Sequence, residues 1–134
     1  MAAYNKYNSF SETLVEAINA GTDTWRVILS DTAPAVTDVT QADAAELTTG
    51  GGYTVNGNAC AITSSTQVAG VYSLVLVNPT AWTGSGGGFT ARYAILLDQT
   101  QDKLAGWWDY GSSQAIAAGE AFQFNFGATA FTVT

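Results

Sequence analysis

The stretch Phe89–Leu97 alternates with a period of two, the spacing of a strand and not of a helix. Phe89, Ala91, Tyr93, Ile95 and Leu97 fall on one face, and Thr90, Arg92, Ala94 and Leu96 on the other. The second face holds Ala94 and Leu96, so it is not purely solvated. Asp98–Lys103 (DQTQDK) follows as a polar hairpin connection, with Leu104–Tyr110 (LAGWWDY) as its partner strand. A chain that folds locally into such a hairpin must cover it with further sheet or helix, because a lone hairpin is at best marginally stable in water.

Other segments supply that cover. Trp25–Ser30 (WRVILS) is β-rich and ends at the turn-prone run Asp31-Thr-Ala-Pro34. Tyr53–Ile62 alternates loosely around Asn56-Gly57, a hairpin turn signal. Val71–Val77 is a mostly apolar strand closed by Asn78-Pro79, and Ala130–Thr134 is β-prone. Ala121–Phe126 places Phe122, Phe124 and Phe126 on one face and Gln123 and Asn125 on the other. A single helix is well marked, at about 10–20: Ser9 and Glu12 have capping-box spacing, Phe10, Leu14, Ala17 and Ile18 form its stripe, and Gly21 stops it. Gln41–Leu47 has room for another turn or two of helix. The glycine clusters Gly50–Gly52 and Gly84–Gly88 read as flexible loops, since neither is followed by the Lys-Ser/Thr of a phosphate-binding loop. The expected fold is mainly β: an antiparallel β-sandwich or barrel, jelly-roll-like, with one N-terminal helix. Residues 1–8 form an N-terminal arm and 9–134 a single domain.

Charge is scarce. Four Lys and Arg stand against eleven Asp and Glu, a net −7, and charged residues are 11% of the chain against about 25% in an average domain. A chain so poor in cations is unsuited to nucleic acid, whose affinity rests on clustered Lys and Arg. No run of 18 apolar residues occurs and the N-terminus has no apolar core, so neither a membrane span nor a secretory signal is expected. With no histidine, Ser-His-Asp and Cys-His catalysis are excluded, and the lone Cys60 excludes an intrachain disulfide and cysteine-rich zinc sites. Cys60 reads as a small buried hydrophobe, in keeping with production in a reducing cytoplasm.

Among the acids, Asp109 lies between Trp108 and Tyr110, where its pKa could be raised, or it simply caps a turn. Asp98 and Asp102 flank one turn without the spacing of a calcium loop and read as turn caps. No catalytic residue, cofactor or metal ligand is assigned, and the chain is not expected to be an enzyme. The aromatics are more informative. Adjacent Trp107 and Trp108 must point to opposite faces of their strand, so one serves the core. The other meets solvent, a second layer, or a partner. Trp82 lies near a glycine-rich loop, and Tyr4, Tyr7 and Phe10 in or beside an arm that cannot fold alone. These six, Tyr4, Tyr7, Phe10, Trp82, Trp107 and Trp108, are the candidate partner-contacting residues.

Several blocks carry a resemblance: Tyr4-Asn-Lys-Tyr-Asn-Ser-Phe10 leading into a helix, Gly21-Thr-Asp-Thr-Trp-Arg-Val-Ile-Leu29, the Thr-Ala-Pro34 turn, Gly51-Gly-Tyr-Thr54, Trp82, Phe89-Thr-Ala-Arg-Tyr-Ala-Ile-Leu-Leu-Asp98 and Gly106-Trp-Trp-Asp-Tyr-Gly111. Together they resemble small virion proteins of tailed bacteriophages, the capsid decoration, cement or head-fibre proteins. The resemblance implies a structural virion protein on the outer surface of the expanded phage head, made in the host cytoplasm. It implies the major capsid protein as partner, a homotrimer, and no catalytic residues. The alternative from the residues themselves is a receptor- or carbohydrate-binding module, a fibre tip or sugar-binding domain using Trp82, Trp107 or Trp108.

Overall fold

Twelve short segments of regular structure organise residues 2–134, the residues described by the computed structural model. In chain order they are β1 (Tyr4–Lys6), α1 (Phe10–Glu16), β2 (Trp25–Ser30), a 3₁₀ turn (Gln41–Asp43), β3 (Asn58–Cys60), β4 (Ile62–Val68), β5 (Val71–Leu76), β6 (Trp82–Thr83), β7 (Phe89–Asp98), β8 (Lys103–Ile116), β9 (Ala121–Phe122) and β10 (Phe131–Val133). Three antiparallel sheets result, ordered β1-β8-β7-β2-β3, β10-β5-β4 and β6-β9. The expected mainly-β fold with one α-helix is therefore what forms, in sandwich-like layers. The largest sheet ends at β1 and β3 and does not close, so of the two expected architectures the barrel is set aside.

The β7–β8 hairpin is the spine, with Asp98 opposite Lys103 across its turn. Both faces of its sheet are covered. On one, Trp25, Val27 and Leu29 of β2 and Leu96 of β7 pack with Leu74 and Leu76 of β5 and Phe131 of β10. On the other, Ile28, Ile95, Leu97 and Leu104 lie under Tyr7 and Ala44, with Trp107 alongside. Burial on both sides explains why WRVILS and YAILL are almost continuously apolar. The faces of β7 differ from simple alternation. A register irregularity between Ala91 and Tyr93 inserts a bulge, which puts Ala91 in the same cluster as Ala94 and Leu96, with Phe89 packed against it, and leaves Ile95 and Leu97 opposite. Across it a single residue of β7, Arg92, faces four of β8, Tyr110–Ser113, and the pleat of β7 changes phase.

The helix is shorter than its stripe suggested, ending at Glu16, and its capping box is not made. Ser9 itself adopts helical angles (φ −67°, ψ −18°), which removes the extended geometry an N-cap side chain needs, and its hydroxyl makes no cap bond. The box forms instead at the 3₁₀ turn, where the Asp43 carboxylate accepts the Val39 and Thr40 N–H groups. Those bonds hold the Asp43 carboxyl below the usual carboxylate range. Asn56 takes φ +80° in a turn closed from the Gly57 N–H to the Thr54 carbonyl, leading into β3 instead of joining two strands of one hairpin. Residues 4–6 do not project as an arm. They pair with β8, Tyr4 opposite Trp108 and Lys6 opposite Gly106. Met1, the first residue of the expected arm, lies outside the described residues.

Candidate interaction surface

The six candidate aromatics are drawn inward, in two groups. Tyr4, half-buried, donates from its hydroxyl to the Ala105 carbonyl at 2.9 Å and packs on Trp108 at 5.3 Å between ring centroids. Trp108, 3% exposed, completes an aromatic column with Phe124 at 4.8 Å and Phe126 at 5.7 Å. Phe10 meets Phe131 edge-on at 5.0 Å, and Trp82 lies against Phe122 at 6.1 Å. Both are buried. On the opposite face of the large sheet, fully buried Tyr7 sits 4.7 Å from Trp107, which stays half-buried.

Adjacent Trp107 and Trp108 do face opposite ways, and both serve the folded chain: Trp108 in the main core, Trp107 at the margin of the second cluster. Tyr7, Phe10, Trp82 and Trp108 thus lie inside the protomer and offer no open ring to a partner, while Tyr4 and Trp107 keep partial exposure. The physical reason is the strand pairing of β1. Once its backbone joins β8, Tyr4 and Tyr7 are carried onto opposite faces of the large sheet, each next to a tryptophan.

The polar candidates are similarly committed. Asp109 accepts a two-pronged bond from Arg92, at 2.8 and 3.2 Å, plus the Gly111 N–H at 2.7 Å. Arg92 and that N–H hold the Asp109 carboxyl below the usual range, the reverse of the direction its aromatic neighbours suggested. Asp98 caps its own turn by accepting the Gln101 N–H, whereas Asp102 reaches away to the Gln41 N–H. Cys60 is buried as expected, and burial pushes its thiol up to about 12.

What the strand map adds is the location of the charge. All fifteen charged residues lie in 6–46 or 92–120, and residues 47–91 and 121–134 contain none. Strands β4, β5 and β10, which form a complete sheet, are therefore charge-free, as are β3, β6 and β9. Because Leu74 and Phe131 point into the core, the alternate residues Ser73 and Thr132 face outward, in a cross-strand row with Thr66. Val75 lies on the same outer face, and Val68 at the end of β4 is 74% exposed. β4 is an edge strand of seven residues without Lys, Pro or any acid, and beyond the irregularity at Ile62–Ser64 its pairing with β5 is regular from Ser64 to Val68. This neutral Val/Ser/Thr sheet is invisible in a total charge; it emerges only when the strands place residues 62–76 and 131–133 side by side. No protein-family model, curated protein sequence or solved structure matches the chain. Among the described residues no helix is long and apolar enough to cross a membrane, and no three His, Cys, Asp or Glu side chains gather as metal ligands.

Proposed function

We propose that the chain is a structural virion protein, a capsid decoration (cement) protein that binds the outside of the expanded phage head and stabilises it. The observation that carries this reading is the segregation of charge. One entire sheet, β10-β5-β4, presents an uncharged Val/Ser/Thr surface and a charge-free edge strand, while every charged group is confined to the rest of the chain. Interface cores are depleted in charge, and an edge strand is a template for pairing. The sequence resemblance names the partner, the major capsid protein, and a homotrimer as the attaching unit. A ligand that binds only the assembled shell stabilises it by mass action, by about 2.7 kcal/mol per site at a hundredfold excess over Kd.

The test mixes purified protein with undecorated expanded heads. Stoichiometric recovery with the heads and greater heat resistance are expected. Thr66→Lys and Ser73→Lys, outward on the neutral sheet, should fold normally and lose attachment. No binding by the native chain overturns the proposal. One observation favours the receptor- or carbohydrate-binding alternative: a shallow depression lined by Tyr110, Gln123 and Asn125 over the buried rings of Trp108 and Phe124, with amide groups and one accessible aromatic of the kind that suit a sugar. Its mark would be a tryptophan fluorescence change on titration with host polysaccharide, together with failure to bind heads.

A further inference from the structure

Two carboxyl groups meet where the segment after α1 crosses the end of the central hairpin. Asp98, the last residue of β7, is fully buried, and Asp23 is 7% exposed. Asp98 pairs across the ladder with Trp25, and Asp23, two residues earlier on the same face, brings its carboxyl to that of Asp98. One oxygen of each already has a backbone donor: Asp98 Oδ1 accepts the Gln101 N–H and Asp23 Oδ2 accepts the Asn19 N–H, both at 3.1 Å. Among the described residues, none donates a hydrogen bond to the buried Asp98 Oδ2. Two ionised carboxylates are acceptors only, so they cannot bond each other and repel at close range. A proton between them resolves both problems, turning one acid into a donor and supplying the missing partner.

The other charged groups nearby do not do this. Lys103, opposite Asp98 in the ladder, makes no ion pair with it; Arg26 of β2 bonds the Asn56 and Gly57 carbonyls; Asp102 bonds the Gln41 N–H. A divalent cation fits less well, because it needs six or more oxygens and both carboxylates already accept N–H donors here. The surrounding bonds define what the pair fastens. The Thr24 N–H donates to Thr100 Oγ1 at 2.8 Å and the Gln99 N–H to the Thr24 carbonyl at 2.9 Å, so residues 19–24 lie directly on the hairpin turn 98–103.

We propose that Asp23 and Asp98 share one proton, and that this proton latches the segment between α1 and β2 onto the turn between β7 and β8. Burial first, and Asp23 second, push the Asp98 carboxyl up to about 7. The folded chain therefore holds a proton that the unfolded chain releases near pH 4. The latch is complete below that ordinary carboxylate value and is lost as pH rises through 7. The unfolding constant should accordingly rise roughly a hundredfold between about pH 5 and about pH 8.

Denaturant unfolding of the full chain across that range tests this, paired with amide exchange of residues 19–24 corrected for intrinsic rate. The native chain should lose stability and protection progressively from about pH 5 to about pH 7 and level off above that. Asp98→Asn, which keeps a donor toward Asp23 without titrating, should remain flat in both. Asp23→Asn gives the same comparison should the first variant not fold, and a carboxyl NMR titration of the native chain reads the shared proton directly. A flat native profile, or an unchanged slope in the variants, overturns the latch. So does calcium that restores the native midpoint at pH 8 but leaves Asp98→Asn unmoved, since the pair would then be a cation seat.

Discussion

Tyr7 combines two opposed contributions in one side chain. Its ring is fully buried against Trp107 and among Ile28, Ile95 and Leu97, while its hydroxyl lies inside with no hydrogen-bond partner among the described residues. Burial, with the Asp38 charge beside it, pushes the phenol above its ordinary pKa, so the group stays a neutral, unpaired donor. A buried hydroxyl without a partner is destabilising relative to an apolar atom in its place. Tyr7→Phe should therefore raise stability by about 1 kcal/mol. Tyr7→Ala should lower it by about 3–5 kcal/mol through the cavity it leaves. Urea denaturation of both variants reads the sign and the size. Loss of stability in Tyr7→Phe would mean that the hydroxyl is bonded in solution. Neither the burial nor the orphaned hydroxyl was legible in the sequence, where Tyr7 follows a polar run and carries no periodic signal.

β1 is short, and its worth comes from what it docks. The three residues pair with β8 only because Gly106 leaves room for the Tyr4 ring: a Cβ there would lie 2.0 Å from a Tyr4 ring carbon and 2.7 Å from the Asn5 carbonyl oxygen. Gly106→Ala should therefore push β1 off the sheet edge, lowering stability by about 1–3 kcal/mol and opening residues 2–8 to limited proteolysis. Deleting residues 1–8 should go further. It removes Tyr4, Tyr7 and a paired strand at once, against a typical total stability of about 5–15 kcal/mol, and the truncated chain should unfold well below the intact one in a thermal scan. A truncated chain as stable as the full one would restore the view of these residues as a free arm. The same contrast explains which elements could be read in advance. β2, the β7–β8 hairpin and the Phe122/Phe124/Phe126 face rest on patterns within a few residues. β4 and the far half of β8 (residues 111–116) are polar, Ser-containing segments, the second opening on Gly111, whose strand state comes from partners elsewhere: β5 in one case, the first residues of β7 in the other. The bulge after Ala91 is likewise invisible to a pattern that assumes unbroken alternation.

The accessible surface, 6404 Å², is close to the roughly 6,700 Å² that a compact monomer of 13.9 kDa exposes. Scarce charge is thus not a symptom of an extended or poorly covered chain. It reflects a division of the fold, with the ion pair, the acidic caps and the Asp23–Asp98 pair on the large sheet and its connections, and none on the β10-β5-β4 sheet. That division decides how attachment should respond to salt. Contacts made by charged groups weaken as the screening length falls from about 14 Å at 0.05 M to about 4 Å at 0.5 M, whereas contacts between neutral Val, Ser and Thr surfaces do not. Like-charged copies of a −7 chain would also repel less as salt rises. Head attachment through the neutral sheet should therefore hold within about twofold over that range, and self-association should hold or strengthen. Co-sedimentation with expanded heads at several salt concentrations measures the first, and light scattering of the free protein the second. A tenfold fall in attachment would place the proposed head contact on the charged side of the molecule instead of on the β10-β5-β4 sheet.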